Sequence, residues 1–491
     1  MAATDSTNPL IEQLLGVLET VQVDDTGLAS ELAAIRSRLS APLRVALVGR
    51  VSSGKSTLLN ALLGQVVAPT DAGECTEVAT SFEYGFPERV EIRLDNGNIM
   101  KIQLDAQGRL PERLPFPKDD VQDVRVWLAN ETLRTLTLVD TPGFSSGQAE
   151  VDTKENDDVL DRRTRQAAAN CDAVVVVLNQ TLRADDMDVL RTFQEAQPGP
   201  SSAVNAVGAL TKADKLASGS EDPVEKAEAL AKRYSERQAR QLAEVVPVIG
   251  LWAETAESGA LNEQDVAGLV RLAEMDGEAV GRILASVDRF RGSECPIDAE
   301  ARGKLLDTLD MCGIRLSVAL VRDGARSAGS LRRELSRVSG IERLRSSVVH
   351  NFGGRTVPLR LLRALEALRG ISYRKAMPPM YGQAVRDAVE RIRLDEGMHE
   401  MREMEAFQRW CDGDIELTVE LEEDLRRLAL NRDPVLRLGA EDSSREALRR
   451  AAQAGVSRWR TARLHTSAAN DEVARTAIRS YGLALASGTR P

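Results

Sequence analysis

An α/β domain built on a mostly parallel sheet, followed by an extended all-α region, is the architecture this sequence predicts. Three observations predict it. Between residue 43 and about residue 256, short apolar runs alternate with helical stretches, the pattern of a parallel sheet covered by helices. After about residue 260 no strand pattern remains. And the segment GRVSSGKS, Gly49 to Ser56, stands where the first apolar run meets the first helical stretch, the setting a phosphate-binding loop requires.

Residues 9–39 carry Leu and Ile at helical spacing and form an N-terminal arm, stopped by Ala41-Pro42. Leu43–Val48 reads as a buried strand and Lys55–Leu63 as a helix. Val78–Tyr84, Arg89–Leu94, Ile99–Leu104 and Val124–Leu128 are β-like runs between turn residues. Thr135–Val139, Ala173–Leu178, Ala203–Leu210 and Val245–Ile249 are further strands, with helices at about 154–170, 185–196 and 224–243. The remainder reads as helices at 262–290, 298–322, 330–352, 356–376, 382–411, 414–430 and 442–486. The chain thus divides into an arm (1–41), an α/β domain (42–256) and a helical region (257–491).

At 43% apolar and 28% charged residues, the 491-residue chain has the composition of a soluble globular protein with a large core. Aromatics are only 3%, so Leu, Ala, Val and Ile must do most of the packing, which suits helices. Cys75, Cys171, Cys295, Cys312 and Cys411 show no CxxC pair, which argues for a reducing cytosol and against a disulfide scaffold or zinc ribbon. The first residues lack the basic region of a secretory signal, and no apolar run approaches the roughly 20 residues that span a bilayer. A net charge of −11 disfavours nucleic acid as a partner. The charge is uneven: residues 301–393 hold 19 Lys plus Arg against 8 Asp plus Glu, a net of +11.

The chemistry lies in three motifs. In GRVSSGKS, Gly49 and Gly54 let the backbone bend so that the N–H groups of Ser53, Gly54, Lys55, Ser56 and Thr57 face phosphate at a helix N-terminus. Lys55 should reach the β- and γ-phosphates, and Ser56 should ligate Mg²⁺. In DTPG, Asp140 can hold the same Mg²⁺ through water, and Gly143 can offer its N–H to the γ-phosphate. In TKAD, Thr211 to Asp214, a fixed carboxylate at Asp214 can accept the N1–H and exocyclic N–H of guanine. Adenine lacks both donors, so this contact separates the bases. The stem of Lys212 can lie over the base. A switch element must fall between the first two motifs, and PTDAGECTEVATSF offers Thr70, Thr76 and Thr80. Thr76 is favoured because it precedes the strand near Val78; its hydroxyl would complete the Mg²⁺ shell and its backbone would help hold the attacking water. The last loop, Val248–Ala253, should touch the base but has no sharp signature.

GxxxxGKS, DTPG and TKxD in this order form the motif set of a GTPase. With the helical arm, the doubled serine of RVSSGKST, the APT…ECTEVAT switch and the long helical remainder, the chain resembles the bacterial dynamin-like GTPases. Within them it is most similar to the isoniazid-inducible actinobacterial, IniC-like type, on LLNALLGQVVAPTDAGECTEVATSF, SVDRF, MCGIRLSVAL and SGIERLRSSVVHNF. The last segment, 339–352, is similar to the final helix of many GTPase domains, which would make 257–338 helical extra structure. The resemblance implies conversion of GTP to GDP with Mg²⁺, pairing through GTPase domains with itself or a paralogous dynamin-like protein, and remodelling of anionic membrane lipid. It also implies a role in stress response and a cytoplasmic location, peripheral to the inner face of the cell membrane. The arm and C-terminal helices would form a neck and stalk. There is one departure. Where eukaryotic dynamins place a water-orienting Gln, this chain has Val51, and Phe144 follows DTPG. Catalysis would then fall to Mg²⁺, Lys55, Ser56, Thr76 and a cation held near Ser52, with slow basal turnover.

The favoured lipid contact is ISYRKAMPPMYG, 371–382, where Arg374 and Lys375 would meet anionic headgroups and Met377, Met380 and Tyr381 would insert. The competing reading is a helix–helix turn with Met and Tyr in the core; VRDGARSAGSLRR, 321–333, is a second lipid candidate. The alternative function is a regulatory or ribosome-assembly GTPase whose helical region binds RNA or protein. A third is a P-loop scaffold in which nucleotide serves assembly alone.

Overall fold

A computed structural model describes residues 8–69, 78–111, 113–117, 120–143, 171–180, 203–216, 223–352, 356–463 and 468–487, with isolated positions between 167 and 194. The described strands are β1 (Leu43–Gly49), β2 (Thr80–Tyr84), β3 (Arg89–Leu94), β4 (Ile99–Ile102), β5 (Val121–Leu128), β6 (Leu136–Asp140), β7 (Ala173–Leu178), β8 (Ala206–Leu210) and β9 (Val245–Pro247). They form one sheet in the order β4-β3-β5-β2-β6-β1-β7-β8-β9. β1 lies parallel between β6 and β7, with Leu47 beside Asp140 and Gly49 beside Val177. The parallel run continues through β8 and β9. On the other side β2 runs antiparallel to β6 and parallel to β5, and the β3–β4 hairpin completes the edge. The sheet is mostly parallel, as predicted. Its topology carries all three motifs to the loops after β1, β6 and β8, which leave the same end of adjoining parallel strands.

The predicted run Ala203–Leu210 begins as a single 3-10 turn, and only Ala206–Leu210 joins the sheet. The predicted helices at 154–170 and 185–196 fall largely outside the described residues. Several long predicted helices are broken, each break having a local cause. The arm is two helices, Pro9–Thr20 and Thr26–Ser40, because Asp25 caps the second by accepting from Leu28 N at 2.7 Å. The 262–290 stretch is three helices, Glu263–Ala273, Gly277–Ile283 and Val287–Gly292, capped by Asn262, Asp276 and Ser286. Ala328–Ser339 and Ile341–Asn351 meet at Gly340, where φ is 80° and a Cβ would sit 2.2 Å from the Pro247 carbonyl oxygen. Pro379 opens helix Pro379–Leu394, and His399–Cys411 follows it separately. At the C-terminus, Arg445–Arg463 and Ala468–Ser487 pair closely.

Two of the packing units bear on the site. Ile341, Leu344, Val348 and Phe352 share one apolar core with the sheet, and with Leu14 and Leu18 of the arm and Leu365, Ile392 and Phe407 of the later helices. Residues 256–335 enclose a separate core around Leu269, Leu305, Ile314 and Leu331. Between them lies helix Gly250–Ser258, whose first turn takes up residues expected in the base loop Val248–Ala253. No described helix is long and apolar enough to cross a membrane.

Candidate functional site

The phosphate loop follows β1 with backbone that side chains rarely tolerate: φ is 56° at Ser52 and 96° at Gly54. A Cβ on Gly49 would lie 2.8 Å from the Val177 carbonyl oxygen and 2.9 Å from Ser53 Oγ, so glycine is required for this packing. Lys55 opens helix Lys55–Leu63 and folds back, its Nζ donating to the carbonyls of Gly49 at 3.1 Å and Arg50 at 2.9 Å. Burial lowers its pKa, and the charge of Asp140 pushes the other way.

Asp140 ends β6 beside β1 and is buried. Burial raises its pKa to about 6 against the opposing pull of Lys55 and Ser56. Ser56 Oγ donates to Asp140 Oδ2 at 3.3 Å, while Oδ1 is buried without a hydrogen-bond partner. A hydroxyl and a carboxylate converging on each other, with an orphaned carboxylate oxygen, are the donor set of a hard divalent cation. The residues therefore fit Mg²⁺. Gly143 abuts the phosphate loop: a Cβ there would meet Val51 N and Cα at 2.8 Å. Thr141 fastens the turn, donating through Oγ1 to the Leu47 carbonyl at 2.8 Å.

TKAD is laced to the same loop. Thr211 Oγ1 donates to the Ser53 carbonyl at 2.7 Å and lies 3.1 Å from that of Leu178. Lys212, at φ 54°, donates through Nζ to the Ser52 carbonyl at 2.5 Å. Asp214 is partly buried, and burial raises its pKa; its own backbone, Lys215 and Lys212 oppose this, while the charge of Asp310 adds to it. Thr57 faces Gly250 at the start of the helix after β9, where a Cβ would lie 3.3 Å from the Thr57 methyl. The structure thus brings Gly49, Ser52, Ser53, Gly54, Lys55, Ser56, Asp140, Gly143, Thr211 and Lys212 to one end of the sheet. Thr70, Thr76 and Phe144 lie outside the described residues. Thr80 is in β2 and donates to the Val78 carbonyl at 3.3 Å.

Two further residues, Asn60 and Glu254, escaped the sequence reading. Asn60 is fully buried; its Oδ1 accepts from Val67 N at 3.0 Å and Ala68 N at 2.9 Å. Its Nδ2 donates to the Ala68 carbonyl at 3.0 Å and Glu254 Oε1 at 2.7 Å. It therefore fixes the backbone that leads into the switch segment. Asn60→Ala should cost on the order of 3 kcal/mol by orphaning two buried N–H groups. Glu254→Gln, which keeps an oxygen for Asn60 Nδ2, should cost less than about 1 kcal/mol. Denaturant unfolding checks this, and equal losses in the two variants would contradict it.

The 371–382 connection resembles the competing reading more than the expectation. Met377 is 4% exposed and belongs to the core, so in this conformation it is no insertion anchor. The reason is that residues 373–378 make a tight turn, with Met377 N donating to the Arg374 carbonyl at 3.0 Å. Tyr381 packs partly buried against the same core, and Arg374 pairs with Glu31 of the arm at 2.7 Å. Tyr373, Lys375 and Met380 are exposed. In the 321–333 stretch, Arg322 donates to the Ala273 carbonyl at 3.0 Å and Arg326 pairs with Glu274 at 3.1 Å.

Residues 45–213 match the Dynamin family. The isoniazid-induced protein IniC of Mycobacterium tuberculosis is 34% identical over 350 residues, which cover 69% of this chain and 69% of that protein. A bacterial dynamin-like protein of Nostoc punctiforme is 41% identical over 65 residues, 13% of this chain and 9% of its own length. A solved structure of an oligomerised bacterial dynamin pair aligns over 99% of this chain and 92% of its own, at 12% identity and a TM-score of 0.36, too distant a likeness to carry weight.

Proposed function

This chain belongs to the dynamin family of GTPases, and from that premise we propose that it hydrolyses GTP with Mg²⁺ at the loops after β1, β6 and β8 and couples the cycle to self-association on an anionic membrane. The observation that carries the nucleotide part is Ser56 paired with buried Asp140, whose second carboxylate oxygen is orphaned beside Lys55. Ser56 and Asp140 would hold Mg²⁺, which when bound neutralises charge on the phosphates. Lys55, once drawn off the Gly49 and Arg50 carbonyls, adds a second positive charge where negative charge develops. Gly143 offers its N–H beside Val51, and Asp214 reads the base. Val51 is 54% exposed and cannot hydrogen-bond, so water positioning falls to the switch around Thr76. Turnover in isolation is then slow, and a second GTPase domain, of this protein or a paralogue, would close the switch and exclude solvent.

We take the GTPase unit as residues 42–256 closed by helix Ile341–Asn351, with 257–338 inserted and the arm plus later helices as neck and stalk; the core that Ile341, Leu344 and Val348 share with the sheet supports the closing helix, and the separate core of residues 256–335 supports the insert. The peripheral location at the inner membrane face and the role in stress response follow the IniC likeness. The exposed part of the lipid contact is Tyr373, Arg374, Lys375 and Met380, and Arg374 is already paired with Glu31, which leaves Lys375 as its cation. One cation is worth about 1 kcal/mol at an anionic surface, so recruitment needs many copies acting together. Lys375→Glu with Met380→Asp is expected to abolish co-sedimentation with phosphatidylglycerol vesicles and leave basal GTPase activity within about twofold, because neither residue approaches the nucleotide loops. Undiminished sedimentation places the contact elsewhere, and retention of RNA in place of vesicles would favour a ribosome-assembly GTPase.

A further inference from the structure

We propose that Asp310, from the helical insert, is a second acceptor for guanine, taking the amino hydrogen that Asp214 leaves. The inference rests on the nucleotide-site reading above and extends it to a residue about a hundred positions downstream of TKAD.

Helix Ala299–Arg322 is broken at Asp310, whose φ of 56° and ψ of 174° lie in a region that side chains rarely adopt. The break is held from outside. The Thr308 carbonyl accepts from Thr255 Oγ1 at 2.6 Å, and the Leu309 carbonyl accepts from Trp252 Nε1 at 2.9 Å. Both donors stand on Gly250–Ser258, the helix that follows the loop expected to touch the base. Gly313 admits the indole: a Cβ there would lie 2.5 Å from Trp252 Nε1. Trp252 also packs with Ala213 and Ile249, and Cys312 and Leu316 close the same cluster. The broken segment is thereby seated against the residue preceding Asp214.

One oxygen of Asp310 accepts from Met311 N at 2.6 Å and so caps the second half of the helix. Ser, Thr or Asn would cap as well without placing a second negative charge near Asp214. That charge disfavours the ionised form of Asp214, which the base contact requires. A ligand rich in donors reconciles the two acids. Guanine presents N1–H and one amino hydrogen on its Watson–Crick edge and the second amino hydrogen on the N3 side; Asp214 accepts the first two, and the third remains for Asp310.

The test uses the full chain and four nucleotides: GDP, IDP (which lacks the 2-amino group), 2′-deoxy-GDP and ADP. Asp310→Gly removes the carboxylate and relieves the positive φ. It should weaken GDP about tenfold, the size of one hydrogen bond to a charged group, and change IDP less than about twofold. Its thermal midpoint should not fall. Asp310→Asn, which keeps a capping oxygen and the shape of the side chain on the same strained backbone, should lose GDP affinity in the same direction by a smaller factor and again spare IDP. An unchanged GDP-to-IDP ratio, an equal loss for both, or 2′-deoxy-GDP binding that Asp310→Gly leaves unchanged, which would put the contact at the ribose, would overturn the inference. If those results come with intact preference of the wild type for GDP over ADP, the nucleotide-site reading survives. A wild type that binds ADP as well as GDP overturns both.

Discussion

Lys55→Ala is expected to lower GTP turnover by about a thousandfold, and Ser56→Asn to match it. Lys55 is a buried cation of the phosphate loop, and its removal leaves developing charge on the phosphates uncompensated by a side chain. Ser56 faces Asp140 across the cation position, so replacing its hydroxyl removes one of the two side chains that would hold Mg²⁺. Phosphate release under saturating GTP checks both, and turnover within tenfold of wild type in either would contradict the assignment. Asp140→Asn supplies the contrast. The folded carboxyl titrates at about 6, above its ordinary 3.8, so the folded state binds more protons between those values. Ionised Asp140 therefore opposes folding above about pH 6, and that penalty fades as pH falls. The Asn variant should melt at an equal or higher temperature than wild type at pH 7.5 without Mg²⁺, yet show no Mg²⁺-dependent turnover. In the wild type, Mg²⁺ affinity should drop as pH falls through about 6, because protons compete for the same oxygen.

Asp214→Asn should weaken GDP by roughly a hundredfold or more and leave ADP unchanged, since it replaces an acceptor for two base donors with a group that presents one. The lacing of Thr211 and Lys212 to Ser53 and Ser52 does not involve the Asp214 carboxylate, so phosphate recognition should persist. A parallel loss of GDP and ADP would mean that the substitution collapses the loop and says nothing of the base.

The nucleotide motifs were legible in the sequence because each is local: a strand end, a few residues of fixed backbone and a charge. The helices were less so, since periodicity runs on through a cap. Asp276 and Ser286 divide one apolar pattern into separate helices by accepting from backbone N–H groups, and neither alters the spacing of leucines. Helix Gly250–Ser258 was hidden for a different reason. Its Trp252, Glu254 and Thr255 look like loop residues until their partners appear at Leu309, Asn60 and Thr308, distant in sequence. Met377 illustrates the same limit: beside Arg374, Lys375 and two prolines it reads as a surface anchor, and only the fold of the turn buries it. Asp310 carries no local signal, because its position depends on a clamp supplied from another helix.

What we propose is a Mg²⁺-dependent, guanine-specific hydrolase whose slow turnover is raised by contact between copies, because the Val51 side chain offers no hydrogen bond to an attacking water. The most direct measurement is phosphate release per molecule over a hundredfold range of protein concentration, with GTP or ATP and with Mg²⁺ or EDTA. The account predicts hydrolysis of GTP alone, its loss in EDTA, and a rate per molecule that climbs with concentration. A rate per molecule that stays flat across the range, or ATP turned over as readily as GTP, would contradict it.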